Sequence, residues 1–444
     1  MDSTSRFSIR SLSLCIAATT ALASATATAN MGNIGTTYGL LPTDIASAQA
    51  LSMFNTQVSA TYYNPAYLAK DPRGELTGGF LHGAHELRAE GADRTGSIVT
   101  DRPSQNVLIG MKTNLSSLTR VKHPIYLGFV AGVEKLGKEL LAFNSETSNS
   151  GQFLTYERQP LFLNLGGATT LWRGIDAGFA TRITLHSEAA LSTTTDLAGN
   201  TQYESLSVNA KPSIRSILSA SVDLGETLCP DSDCFLDGFE TAVVYRSSSN
   251  TRTTVQANTV IPGLIPASDP LQFAISTYDS YQPTVYAVGV QYSASDWRVG
   301  LTLEQQNWSD LEDEFAGDDI KDQAAAQFDD ILIPRIGGEM KLGDTFAVTG
   351  GLAFQPTALK STSTQDVNYF DNDKYIVGLG VSAEYKRTRI LAYPVRLDLG
   401  YQYQMLQDRD FTINTTDPDA TNNGTVVSTD GDVHVFSGSI TLKF

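Results

Sequence analysis

The sequence predicts an all-β protein: a fourteen-stranded antiparallel transmembrane β-barrel. Three observations predict it. The chain ends in Asp432–Phe444, where Phe436, Ile440, Leu442 and Phe444 alternate with Ser437, Ser439, Thr441 and Lys443, and a period of two is a strand. Similar alternating stretches recur from Gly74 onward, and their number is even, as a closed single-chain barrel requires. The gaps between them alternate between tight and long, as turns on one side of a membrane and loops on the other do.

The individual stretches carry the same code. In 374–386, Tyr375, Val377, Leu379, Val381 and Tyr385 oppose Gly378, Gly380, Ser382, Glu384 and Lys386. In 395–405, Val395, Leu397, Leu399, Tyr401 and Tyr403 oppose Arg396, Asp398, Gly400, Gln402 and Gln404. A soluble sandwich also alternates, but it does not put Arg, Asp and Glu on one face of nearly every strand with aromatics at the ends of the other. The expected strands are 74–90, 105–113, 124–135, 153–170, 174–190, 204–224, 237–257, 282–294, 296–308, 330–342, 345–358, 374–387, 394–411 and 432–444. Stretches 74–90 and 204–224 alternate least. Tight turns fall at Trp172–Gly174, Ser295 and Gly343–Asp344, and long loops at 136–152, 258–281, 309–329, 359–373 and 412–431.

Bulk composition agrees. The chain has 444 residues with 36 Gly, 19 Phe and 18 Tyr but only 3 Cys. Its mean hydropathy is slightly negative, and no run of apolar residues after the N-terminus is long enough for a membrane helix. The net charge of −17 excludes a nucleic-acid partner on electrostatic grounds. Much of the acid falls in expected loops, such as Asp310–Glu314 and Asp408–Asp410. Solvated loops explain it, as would divalent-cation bridges to lipopolysaccharide at a cell surface. Cys229 and Cys234, in Cys-Pro-Asp-Ser-Asp-Cys, suit a small local disulfide in an oxidising compartment, and the hexapeptide offers too few ligands for a metal.

The N-terminus has a different character. Residues 1–29 read as a signal peptide, with Arg6 and Arg10, an apolar core from Leu12 to Ala21, and the small-residue site Ala27-Thr28-Ala29. Residues 30–73 lack a period of two. They hold a Gly-rich start, a short helix within Thr43–Phe54 capped by Thr43 or Asp44, and a rigid turn at Pro65. This piece is compact and is not barrel wall; the wall is 74–444.

Tyr63-Asn64-Pro65-Ala66-Tyr67-Leu68-Ala69, ahead of about fourteen strands, resembles the FadL-type family of outer-membrane transporters for long-chain fatty acids and other hydrophobic compounds. Asn307-Trp308-Ser309, Asp371-Asn372-Asp373-Lys374 and Tyr401 through Asp408-Arg409-Asp410 fall in the matching order and spacing. The chain departs from the family pattern at Phe370 and Lys374, where a Pro and an Arg are expected. The resemblance implies that 30–73 is an N-terminal hatch (plug) in the lumen. Extracellular loops capture the substrate, a lumen pocket holds it, and it leaves sideways into the outer membrane where the third strand kinks inward. It also implies passive uptake, a multi-pass outer-membrane location, a monomer, and recognition of Phe444 by the barrel-assembly machinery.

Candidate site residues follow from this frame. Asn64, Pro65 and Ala66 form the gating turn, with Asn64 bonding backbone freed at the kink. Gly128 and Gly132 face the lumen on the third strand, where glycine permits bending or close approach. A ligand carboxylate needs a buried cation. Arg182, Arg246, Arg298, Arg335 and Arg396 face inward by alternation, Arg335 being the preferred one; if all are ion-paired, a neutral hydrocarbon is the better substrate. Leu140, Leu141 and Phe143 form a loop capture patch. No cofactor is implied. The five histidines are scattered, and no Gly-x-Ser-x-Gly, zinc spacing or phosphate loop occurs, so an enzyme such as a surface Ser-His hydrolase is disfavoured. A general diffusion porin and a surface adhesin are the alternatives to a transporter.

Overall fold

The structure is a computed structural model that describes residues 30–31, 33–91, 103–116, 120, 122–135, 161–195, 201–230, 234–260, 271–316, 327–360, 363–364, 371–386, 392–413 and 424–444. Fourteen strands form the wall. They are β1 (Glu75–Gly91), β2 (Ser104–Asn114), β3 (Ile125–Lys135), β4 (Leu161–Trp172), β5 (Ile175–Thr195), β6 (Thr201–Asp223), β7 (Phe239–Arg246), β8 (Thr284–Ser293), β9 (Trp297–Asn307), β10 (Ile331–Leu342), β11 (Phe346–Gln355), β12 (Lys374–Tyr385), β13 (Val395–Ile413) and β14 (Thr425–Lys443). Each pairs antiparallel with the next, and β14 closes the barrel on β1 from Val427↔Gly91 to Lys443↔Glu75. Closure of the first strand on the last leaves the wall without a terminal strand edge among the described residues, which is the condition for strands to sit in lipid. The alternation holds strand by strand. On β12, Val377 and Leu379 are exposed outward while Ile376 and Lys374 are buried inward.

Two strands differ most from the sequence expectation. Of the expected strand 153–170, residues 153–160 lie outside the described residues, and β4 covers the rest from Leu161. The expected strand 237–257 is two strands: β7 stops at Arg246, and Ser249–Val260 leaves the wall to pair with Leu271–Gln282 in an outer hairpin. This excursion returns to the wall at β8, which pairs directly with β7. Arg215 on β6 clamps its base, donating to the carbonyls of Ser247 (2.7 Å) and Pro283 (2.6 Å) and to Gln282 (2.6 Å). β14 begins at Thr425 rather than 432, because β13 and β14 continue past a bulge between Leu406 and Arg409. Gly431 sits opposite that bulge with φ +147°, a conformation that favours glycine.

The N-terminal segment threads the lumen as short helical pieces. α1 (Ile34–Thr37) is capped by Asn33, whose Oδ1 accepts from Thr36 N at 3.0 Å. α2 (Pro42–Ala46) has Leu41 at its cap position, and neither Thr43 nor Asp44 caps it; Asp44 lies inside the first turn and accepts from Leu41 N at 3.0 Å. The 3-10 turn Ser52–Phe54, α3 (Ala60–Tyr63) and the 3-10 stretch Pro65–Lys70 follow.

The wall meets this segment with glycines. A Cβ on Gly351 would lie 2.0 Å from Ser47 O, on Gly378 2.4 Å from Ala46 O, on Gly400 2.4 Å from Pro42 O, and on Gly178 2.1 Å from Ala66 N. Each of these neighbours is backbone, which a rotamer change cannot move. Long polar side chains fill the remaining positions and bond the segment's backbone: Gln402 to Tyr38 and Ile45 carbonyls, Gln404 to Thr37, Thr302 to Ala50, Lys112 to Thr56 and Arg298 to Phe54. Backbone without regular partners is thereby satisfied.

Gly351→Val is expected to leave a barrel that still shows heat-modifiable migration on gels but to unseat the segment. Ion conductance in planar bilayers should rise above wild type, whereas Gly343→Val, at a turn with open space around it but φ +72°, should lower stability without that rise.

Candidate functional site

Of four apolar clusters in the described interior, one is the small group Ala48, Ala353 and Ile376, and the other three connect the outer loops to β3 and β4. The outermost joins Trp308, Leu311, Phe328 and Leu359 to Phe411 and Val427, and runs down the inward faces of β13, β14 and β1 to Ile34 and Tyr38 of the segment. Leu311 belongs to the helix Asp310–Ala316, so the acidic run expected to be solvated loop is a helix with one residue turned inward. The second cluster packs Phe54, Val58, Tyr62, Tyr63 and Tyr67 against Leu108, Val130, Phe162 and Ile217 of the wall. The third is small: Ala60, Leu68, Tyr126 and Ala168.

Beside the third cluster the wall is thin. Gly128 on β3 is paired directly with Gly166 on β4, and Ala168 with Gly178 on β5. A Cβ on Gly128 would lie 2.6 Å from Thr61 Cγ2, and one on Gly166 3.3 Å from it. On the outside of the same strands is an apolar concavity of about 860 Å³, flanked by Met111, Leu127, Phe129, Leu165 and Phe179. Glycine pairs lack the cross-strand side-chain contacts that stabilise a sheet. Interior and exterior apolar surfaces are thus separated here by little more than backbone.

The gating turn behaves differently from expectation in one respect. Asn64 donates to Met53 O (2.7 Å), within its own segment, and not to the wall. The third strand offers it no freed backbone: β3 pairs with β2 from Gln105↔Lys135 to Asn114↔Tyr126 and with β4 from Ile125↔Thr169 to Val133↔Leu161, without a register shift. The expected kinked gap is therefore absent from this stretch, where glycine provides closeness without breaking the ladder. Ala66 N donates to Ser219 Oγ (2.8 Å) on β6, and Pro65 abuts Gly178. Of the two glycines singled out, Gly128 touches the segment; Gly132 instead makes room for the Phe162 ring.

All five candidate arginines are buried or half-buried with a carboxylate. Arg182 pairs with Glu134 (2.6 Å), Arg246 with Glu304, Arg298 with Glu339 (3.1 Å) and Arg396 with Asp398 (2.7 Å). Arg335 reaches the same Glu304 at 4.0 Å, and its Nη1 donates to Ala48 O at 3.1 Å. Ala48 and Gln49 have φ of 48° and 66°, a left-handed turn that costs about 1–3 kcal/mol per residue and persists only where surrounding contacts fix it. Arg335 is one such contact. Arg215, fully buried as well, is not among the inward arginines that alternation picks out, because its strand alternates poorly; its partners are carbonyl and amide oxygens and the Tyr62 hydroxyl.

Leu140, Leu141 and Phe143 lie outside the described residues. Cys229 and Cys234 are joined as a disulfide beside α4 (Leu224–Leu228), between β6 and β7. Asp371-Asn372-Asp373-Lys374 forms a buried hub: Asp371 accepts from Lys374 (2.7 Å), Thr357 (2.7 Å) and Ala358 N (3.1 Å), and Asn372 reaches Gln407 O and Thr429 O. Arg409 adds bonds to Asp371 O and Leu359 O. The hub fixes Ala358 and Leu359, members of the outer apolar cluster. Sequence spacing located this motif but gave no sign of its partners.

No family model matches the sequence. Alkane uptake protein A of Marinobacter nauticus is 59% identical over 446 residues, covering 99% of this chain and 97% of that protein. Among solved structures, a Pseudomonas aeruginosa FadL homologue superposes with a TM-score of 0.61 at 12% identity, over 90% of this chain and 98% of that one. The Pseudomonas putida toluene transporter TodX does so with a TM-score of 0.54 at 10% identity, over 91% and 98%. At such identities these two likenesses concern the fold.

Asp44 gives the segment a pH signature. Burial raises its carboxyl from 3.8 to about 6, against the lowering effect of bonds from Asn55 and Leu41 N. A raised carboxyl pKa stabilises the seated state below the unseated value and loses that contribution as pH rises through about 6. The denaturant needed to unseat the segment should therefore fall between pH 4 and pH 7 by more in wild type than in Asp44→Asn, with conductance as the readout.

Proposed function

We propose, for a chain that belongs to the FadL-type family of outer-membrane transporters, that the cargo is a neutral hydrocarbon, a long-chain alkane above all. The chain is a multi-pass outer-membrane barrel for uptake of hydrophobic compounds. The observation that carries the finer reading is the pairing of the lumen arginines. A cation that already holds a carboxylate, or that braces the segment as Arg335 does, gains little by exchanging it for a ligand's. An alkane asks for no such partner. The 59% identical relative, named for alkane uptake, supports the same cargo.

One observation favours a second reading. Glu304 serves both Arg246 and Arg335, and Arg215 has no carboxylate partner among the described residues, so the buried band keeps a surplus of positive charge there. A fatty acid would supply the missing anion.

In either case the apolar clusters suggest the route. Outer loops take the solute into the Trp308–Phe328–Leu359 cluster, it passes the hatch formed by the N-terminal segment, and, when the β3–β4 ladder opens at the Gly128–Gly166 seam, it leaves into the concavity on β2–β5. The physical reason for leaving sideways is solvation. Burial in hydrocarbon is favourable by about 25 cal/mol per Å² of apolar area, and release into periplasmic water would forfeit it. Transport of this kind is passive, involves no covalent chemistry, and needs one copy of the chain with lipopolysaccharide around its outer rim. Phe444, packed against Gly74, is the residue offered to the assembly machinery.

The test is uptake of labelled hexadecane and labelled palmitate by a deletion strain carrying the wild-type gene or Gly128→Leu. Restored hexadecane uptake that Gly128→Leu lowers, with palmitate little changed, is the expected result. Palmitate uptake restored without hexadecane would transfer the conclusion to the fatty-acid reading.

A further inference from the structure

The hatch's Tyr62 is fully buried at the junction of two apolar clusters. Its ring belongs to the second cluster, while its hydroxyl meets Asn33 Nδ2 (3.1 Å) and Thr36 Oγ1 (2.6 Å), which flank Ile34 of the first. Two guanidinium groups bear on the ring: Arg182 with Cζ 5.5 Å from its centroid, and Arg246 at 5.3 Å. A third arginine, Arg215, donates to its hydroxyl at 3.5 Å. Tyr63 packs edge-on at 5.1 Å.

The three cations come from adjacent strands, β5, β6 and β7, and each is fixed by other bonds. Arg182 is held by Glu134 and stacked 4.2 Å over Phe162, Arg246 is held by Glu304, and Arg215 by the base of the outer hairpin. The wall thus presents a rigid cationic frame that fits one aromatic face and one hydroxyl. Cation–π attraction needs the ring and not merely apolar bulk. Every other arginine contact with the hatch on the described residues goes to a backbone carbonyl; this one goes to a side chain that can rotate.

From this geometry we infer that Tyr62 is the gate residue between the outer and the second apolar cluster. The ring swings aside for a hydrocarbon crossing from Ile34 toward Phe162, and the arginine frame returns it. The closed ring also seals the lumen against ions. The hydrocarbon arm of this inference rests on the uptake reading above; the seal does not.

The experiment compares wild type, Tyr62→Phe and Tyr62→Leu. Phe keeps the ring and drops the hydroxyl bonds. Leu keeps apolar volume and drops both. Folding is checked by heat-modifiable migration, then single-channel conductance and hexadecane uptake are measured. Conductance several-fold above wild type in Tyr62→Leu, with Tyr62→Phe between the two, is the expected outcome. Conductance at the wild-type level in folded Tyr62→Leu would overturn the gate. If the wild-type chain moves no hexadecane, the cargo reading fails, and the conductance series alone decides the gate. If Tyr62→Leu does not fold, the Tyr62→Phe rise in conductance, or its absence, decides it.

Discussion

An irregular chain inside a barrel has backbone donors and acceptors that no ladder can satisfy, and the rest of this structure depends on how that demand is met. Past a two-residue strand, Asn30–Met31, the N-terminal segment is built of short helical pieces, one of them followed by a left-handed turn at Ala48 and Gln49. At membrane depth such backbone persists only when protein surrounds it and bonds it. The wall answers with two kinds of residue. Glycines at Gly178, Gly351, Gly378 and Gly400 let the segment's backbone approach to contact, and long polar side chains between them reach its carbonyls. The polar inward face is therefore mostly occupied, and its arginines act as braces.

This changes how the lumen's charge is understood. Arg, Asp and Glu on inward positions suggest a water-filled pore when read singly. Here Arg298 holds Phe54 O and Glu339 together, Arg335 holds Ala48 O and approaches Glu304, and Gln57 of the segment reaches Asp398. What remains for a solute is the apolar series from Trp308 and Phe328 through Tyr62 to Leu68 and Ala168. The exterior concavity on β2–β5 lies where that series meets the wall.

The strands were legible because an inside and an outside of opposite polarity leave a period of two. Phe436 to Phe444 and Tyr375 to Tyr385 show it plainly, and the fourteen-strand order follows. The outer hairpin was not legible: Ser249–Val260 is a strand, but its pairing with Leu271–Gln282 is decided by Arg215 and the return to β8, not by local pattern. Gly178 could have been found, since it shares parity with Arg182. Tyr62 could not, because a segment without periodicity does not reveal which way a ring points. The unbroken pairing of β3 was beyond sequence as well; Gly128 and Gly132 permit a kink and a close approach equally, and only the neighbours Thr61 and Phe162 distinguish them.

Escape of a hydrocarbon through the β3–β5 wall is the central claim, and photo-crosslinking tests it most directly. A long-chain alkane carrying a diazirine, supplied to outer-membrane vesicles, labels any lipid-facing residue at some background level. The account predicts enrichment on Leu127, Phe129, Leu165 and Phe179 over the equally outward Ile336, Leu352 and Leu379 on the opposite wall. Uniform labelling of both walls, or enrichment on the opposite one, would contradict it.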